Sequence, residues 1–149
     1  LAKYYNINHL DIDYEITKHE ESTINNIFLN KGEVYFRKIE SIITLNNLNK
    51  KDVVISLGGG SILNKKIRFS LHQNSYSIFL DTDINTLQKR LKASKNRPLL
   101  KGVNILTKMK ELDAQRRKHY LQADLILNNV VSVNKTLKNF INIISSTNV

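Results

Sequence analysis

Val53-Val54-Ile55-Ser56-Leu57-Gly58-Gly59-Gly60 decides the fold: a short β-branched run that stops at three consecutive glycines. Such a run reads as a buried strand of a parallel sheet. Glycines just past its carboxyl end let backbone N–H groups approach a ligand that any Cβ would hold off. A plain flexible turn needs one or two glycines, whereas three of the five in the chain sit here.

Outward from this strand, helical and extended patterns alternate. Upstream, Tyr4 and Tyr5 close a helical turn broken by Asn6 to Asn8, and Ile7 to Asp13 reads as a short strand. Ser22 to Asn30 reads as a helix capped by Ser22 or Thr23, with Ile24, Ile27 and Phe28 as its apolar stripe, and Gly32 ends it. Glu33 to Leu48 is a second amphipathic helix, with apolar Val34, Tyr35, Ile39, Ile42, Ile43 and Leu45. Downstream, Ser61 to His72 reads as a helix, Tyr76 to Leu80 as a strand, and Asp81-Thr82-Asp83 as the cap of a helix through Leu91. Ala93 to Pro98 is a polar, basic loop. A long helix from Val103 or Asn104 to Leu121, a strand from Asp124 to Asn128 and a helix from Ser132 to Ile144 complete the chain. This alternation implies an α/β fold in three layers, with a central parallel sheet covered by helices on both faces.

At 149 residues, 41% hydrophobic and 24% charged, the chain has the composition of one ordinary globular domain. It contains no cysteine, so disulfides and thiolate metal sites are ruled out, which fits a cytoplasmic location. No apolar run approaches the roughly 20 residues that span a bilayer, and no signal-peptide segment is seen. His9, His19, His72 and His119 lack metal-ligand spacing and read as surface or packing residues. The net charge of +10 raises nucleic-acid binding, but the basic residues are mostly scattered lysines without a cluster or interleaved aromatics. The excess positive charge equally suits small anionic substrates.

Four constellations carry chemistry. Leu10-Asp11-Ile12-Asp13 sets two carboxylates at i and i+2 near a strand end, on one side if the extended conformation holds. Two acids there can serve a magnesium ion and accept a hydrogen bond from a substrate hydroxyl, or simply cap the following helix. Arg37 and Glu40 lie one helical turn apart. Their spacing fits a surface ion pair worth about 0.2–0.5 kcal/mol, or a glutamate steering an arginine fork onto a carboxylate. Lys95-Asn96-Arg97-Pro98-Leu99-Leu100 joins a basic loop to a rigid proline and two apolar anchors, as a lid arginine reaching a transferring phosphoryl group would require. Gln115-Arg116-Arg117-Lys118-His119-Tyr120 ends a helix with basic residues, which suits the helix dipole or a second anion-binding arginine.

Taken in order, LDID at 10–13, GEVYFRKIE at 32–40, VISLGGG at 54–60, RPLL at 97–100 and RRKHYLQAD at 116–124 resemble the shikimate kinases. These are small members of the nucleoside-monophosphate-kinase-like group of P-loop folds. The resemblance covers most of the chain and implies one domain over 1–149, with a substrate-binding region at about 11–60 and a lid at about 92–104. It implies transfer of the γ-phosphoryl group of MgATP to the 3-hydroxyl of shikimate, with ATP and Mg2+ as cofactors, a monomer, and neither nucleic acid nor membrane as partner. On the resemblance, Asp13 would bind the substrate hydroxyls and orient the attacking one, and Asp11 would hold magnesium through its waters. Arg37, Arg116 and the backbone of Gly58, Gly59 and Gly60 would fix the shikimate carboxylate, with Glu40 orienting Arg37. Arg97 would reach the ATP phosphates from the lid, and Arg90 would pack on adenine.

The chain departs from the family pattern in two places. No G-x-x-x-x-G-K-[ST] phosphate loop occurs in it, and in the family that loop precedes the segment beginning here at Leu1. The expectation is an N-terminally incomplete piece that alone turns over far below the roughly 1–100 per second of kinases. The alternative is a catalytically inactive binding protein of the same family. Leu125-Ile126-Leu127-Asn128-Asn129 also replaces an acidic strand ending near the adenine region.

Overall fold

The computed structural model describes residues 1–92, 104–128 and 132–146. The chain divides into two compact units, one built on Leu1–Ser75 and one on Tyr76 onward.

The first unit runs α1 (Ala2–Tyr5), β1 (Asn8–Asp11), α2 (Ile12–Glu20), α3 (Ile24–Leu48), β2 (Val53–Ser56), a 3-10 turn at Ser61–Leu63 and α4 (Lys65–Asn74). Strands β1 and β2 pair in parallel from Asn8↔Val53 to Asp11↔Ser56. The His9 ring nitrogen Nε2 and Ser56 Oγ add a side-chain bond of 2.8 Å across that pair. Val53, Val54 and Ile55 are half-buried rather than enclosed, because among the described residues β2 has a strand partner on one side only. The strand expected over Ile7 to Asp13 ends at Asp11, whose carboxylate accepts from Tyr14 N at 3.1 Å and starts α2 as its N-cap.

The core of this unit lies between α2 and α3. Ile12 and Ile16, one turn apart on α2, are fully buried against Ile27, Phe36, Ile39 and Ile43 of α3, with Ile55 and Leu57 closing the side toward β2. Burying each such side chain is worth about 1.5–3 kcal/mol, which holds a nine-residue helix that propensity alone would not. Thr23 caps α3 by accepting from Asn26 N. As the sequence implies, helical geometry breaks at Gly32 (φ 77, ψ 172), so α3 is two helical stretches joined by a bend. The buried face of the second stretch carries Phe36, Ile39, Glu40, Ile43 and Thr44, while Val34 and Ile42, counted in its apolar stripe, point outward. The helix expected over Ser61 to His72 is interrupted at Asn64, which ends the 3-10 turn and caps α4 through bonds from Lys66 N and Ile67 N.

The second unit holds β3 (Ile78–Asp81), α5 (Ile84–Lys92), α6 (Ile105–Tyr120), β4 (Leu125–Asn128) and α7 (Val133–Ser146). Strands β3 and β4 pair in parallel from Ile78↔Leu125 to Asp81↔Asn128. A two-way link between Ser77 and Asp124 sets this register: Ser77 N and Oγ donate to Asp124 Oδ2 at 2.7 and 2.6 Å, and Asp124 N donates back to Ser77 Oγ at 3.1 Å. Asp83 caps α5 and Asn104 caps α6. Phe79 on β3 stacks on Tyr120 at the end of α6, with ring centroids 4.8 Å apart. Parallel strands flanked by helices are thus present in each unit.

Candidate functional site

Just beyond the Gly32 bend, α3 presents Glu33, Arg37 and Glu40 in successive turns. Arg37 Nη1 donates to Glu40 Oε2 at 2.7 Å, while Nε and Nη2 donate to Glu33 Oε1 at 3.3 and 3.2 Å. The Glu40 side chain is only 3% exposed, so this is no surface ion pair. Burial works against the Arg37 charge, but the bonds to Glu40 and then Glu33 outweigh it and hold the guanidinium above its usual pKa. Its Cζ also lies 5.1 Å from the Phe36 ring centroid.

The glycine run after β2 closes over these groups. Ser61 N donates to Gly58 O at 3.0 Å, and Leu63 N to Gly60 O at 3.0 Å, turning the chain into the 3-10 segment. A Cβ on Gly58 would stand 2.8 Å from Glu40 Oε1 and 3.3 Å from Asp13 Oδ1. One on Gly60 would stand 2.6 Å from Arg37 Cζ. Both glycines are therefore required by the close approach of charged side chains, not by a left-handed backbone. Ser61 Oγ donates to Glu40 Oε1 at 2.8 Å, so both oxygens of the buried carboxylate are occupied.

Asp13 occupies the first turn of α2, not a strand, so strand alternation does not place it beside Asp11 as the extended reading required. What brings it in is the start of α2 at Ile12, which sets Asp13 Oδ1 beside Gly58. Asp13, Arg37, Glu40, Gly58, Gly59, Gly60 and Ser61 thus gather at one place in the first unit. Asp11 stands at the carboxyl end of β1, exposed, with Oδ1 engaged by Tyr14 N. An open groove of about 640 Å³ beside Arg37 is lined by Lys38, Ser41, Ile42, Asn64, Lys65 and Lys66, which keeps that flank electropositive.

The remaining candidates stand in the second unit or outside the described residues. Arg116 lies on α6, and its buried Nε has no hydrogen-bond partner among the described residues. The neighbouring Arg117 is committed: Nη1 and Nη2 donate to the two oxygens of Asp81 at 3.3 and 2.9 Å, and Asp113 lies 3.6 Å away. The Asp81 bond, then its charge, raises the Arg117 pKa against the opposing effect of burial. Arg90 lies on α5. Arg97, the loop from Ala93 to Pro98, most of the expected lid at 92–104, and Asn129 lie outside the described residues. No group of three or more His, Asp or Glu side chains suited to a metal ion occurs among the described residues. Nor is any helix there long and apolar enough to cross a membrane.

Ser61 is the site residue that the motifs did not single out, although a hydroxyl directly after three glycines was the available signal. A family model described as shikimate kinase matches residues 1–145. The shikimate kinase of Bartonella henselae is 37% identical over 118 residues, 79% of this chain but only 56% of that protein. The shikimate kinase of Aquifex aeolicus is 38% identical over 125 residues, 84% of this chain and 73% of that protein. Among solved structures, a shikimate kinase from Acinetobacter baumannii in complex with shikimate superimposes with a TM-score of 0.91 at 29% identity, covering 97% of this chain and 83% of that one. With the site motifs and the matched residues in agreement, the chain belongs to the shikimate kinase family.

Proposed function

We propose that residues 1–149 form part of one shikimate kinase domain, which transfers the γ-phosphoryl group of ATP to the 3-hydroxyl of shikimate. The observation that carries this reading is the Arg37 fork, lying over Gly60 and braced by the buried Glu40. A planar guanidinium held in this way matches a carboxylate bidentately, and a charge-assisted pair of that kind is about twice as strong as a neutral one. Arg116, on α6 of the second unit, is the further arginine that the family resemblance assigns to the carboxylate. Neutral polyols are disfavoured because they offer the guanidinium no charge-assisted partner in place of the outer glutamate.

Asp13, exposed beside Gly58, accepts the hydrogen bond of the attacking hydroxyl and orients it. Phosphoryl transfer passes through a loose transition state, so positioning and charge neutralisation do most of the work. Arg90 and Arg97 serve the nucleotide, at adenine and phosphates respectively. Magnesium prefers oxygen ligands and keeps several waters. A single exposed carboxylate, Asp11, with one oxygen already bound to Tyr14 N, fits such a water-mediated role and would not fit direct capture. When bound, the ion neutralises phosphate charge. The reading places the protein in the cytoplasm as a monomer.

Calorimetric titration with shikimate and with its methyl ester tests the reading. Shikimate should bind at least tenfold more tightly than the ester, and Arg37→Ala should markedly reduce the difference, as expected when one charge-assisted contact is lost. Equal affinity for acid and ester would overturn it.

A further inference from the structure

Glu20, the last residue of α2, is almost fully enclosed, its side chain 5% exposed. It reaches α3 on both sides of the Gly32 bend. Lys31 Nζ donates to Glu20 Oε2 at 2.7 Å, and the Tyr35 hydroxyl lies 3.1 Å from each Glu20 oxygen. Lys31 and Tyr35 also touch each other, with Nζ 3.3 Å from the hydroxyl and 4.6 Å from the ring centroid. Lys31 precedes Gly32 and Tyr35 follows it, so one carboxylate grips the chain before and after the residue that breaks the helix. Phe28 and Phe36 bridge the same bend with their centroids 4.6 Å apart.

A bend at glycine has a wide range of accessible angles, because no Cβ restricts it. Glu33 and Arg37 follow directly, so any change of angle displaces the fork over Gly60. Displacements of about 1 Å are enough to matter to a bound substrate. We infer that Glu20 is a positioning residue: by clamping Lys31 and Tyr35 it sets the Gly32 bend, and through it the placement of Arg37 on an anionic substrate. The inference takes its ligand from the proposed function; the clamp itself is a matter of geometry. A carboxylate that merely ties α2 to α3 would affect stability without any coupling to Arg37.

The test is a double-variant cycle in the full-length protein, read by calorimetric titration with shikimate. Glu20→Ala should weaken shikimate about tenfold while leaving MgATP affinity unchanged, and in an Arg37→Ala background it should have no further effect. Glu20→Gln, which still accepts hydrogen bonds, should restore part of the loss. Additive losses in the double variant, or unchanged shikimate affinity in folded Glu20→Ala, would overturn the inference. If Glu20→Ala does not fold, Tyr35→Phe removes one hydroxyl and carries the same cycle with a smaller effect. If the wild type binds no shikimate, the proposed function fails, and the clamp is judged by the NMR signal of Arg37 Nε. Freer guanidinium rotation in Glu20→Ala supports the clamp, and an unchanged signal sinks it.

Discussion

Arg37 Nη1 and Glu40 Oε2 lie 2.7 Å apart, with the glutamate enclosed and its other oxygen taken by Ser61. Removing one partner of such a pair leaves the other poorly compensated. Glu40→Ala should therefore lower unfolding stability by about 2–3 kcal/mol, the partial exposure of Arg37 reducing the figure for a fully buried pair. Glu40→Gln should lower it less. Urea unfolding of the two variants provides the comparison, and equal losses would argue against a role for the charge.

The two contact glycines should fail in different ways. On Gly58, an alanine Cβ meets the carboxylate of Glu40, which cannot yield without breaking two hydrogen bonds. Gly58→Ala should cost about 1–3 kcal/mol of stability. On Gly60, the Cβ meets the guanidinium of Arg37, which can shift along its flexible stem only by loosening its bonds to Glu40 and Glu33. Gly60→Ala should cost less stability than Gly58→Ala while weakening shikimate at least tenfold. Thermal melts paired with titration separate the two outcomes.

Glu21, following α2, adopts the left-handed conformation with φ 48 and closes the helix by donating its N–H to Thr17 O. Glycine suits that position better than any residue bearing a Cβ. Glu21→Gly should raise stability by about 0.5–1 kcal/mol, and Glu21→Ala should give no such gain. Chemical denaturation of both variants checks it.

The Glu20 clamp has a pH signature. The hydrogen bond from Lys31, opposed by burial and helped by Tyr35 and His19, holds the Glu20 pKa below its ordinary 4.5. The folded state thus binds the proton less readily than the unfolded chain. The stabilisation is present in full above about pH 4.5 and is lost as the pH falls through the lowered folded value. Glu20→Gln should flatten this part of the acid-unfolding profile. An identical acid limb in wild type and variant would contradict the assignment.

Local signals carried much of the fold. The β-branched run at Val53 ends where the glycines begin, the helix break falls at Gly32, and Thr23, Asp83 and Asn104 cap the helices that the periodicity outlines. The whole of α2, Ile12–Glu20, was not legible, because Ile12 and Ile16 are a single buried apolar pair among polar residues and Ile12 also fits an alternating strand. The interruption at Asn64 was hidden by continuous helix-compatible composition on both sides. In the site, the spacing of Arg37 and Glu40 was visible but their burial was not, since enclosure of Glu40 depends on a loop 21 residues away at Ser61. The bonds of Ser77 to Asp124 and Arg117 to Asp81 span 47 and 36 residues, beyond the reach of any local pattern.

Glu33 gives the fork one more property. Its contacts with Arg37, at 3.2 and 3.3 Å, are longer than the Glu40 bond, and its side chain is half exposed. The inner edge of the guanidinium is thus fastened while the outer edge is tethered to a counter-ion that can leave. An arriving carboxylate exchanges one anion for another rather than neutralising a bare cation. Much of the charge change on association therefore cancels, and affinity for a carboxylate ligand should depend on ionic strength more weakly than an isolated arginine would dictate.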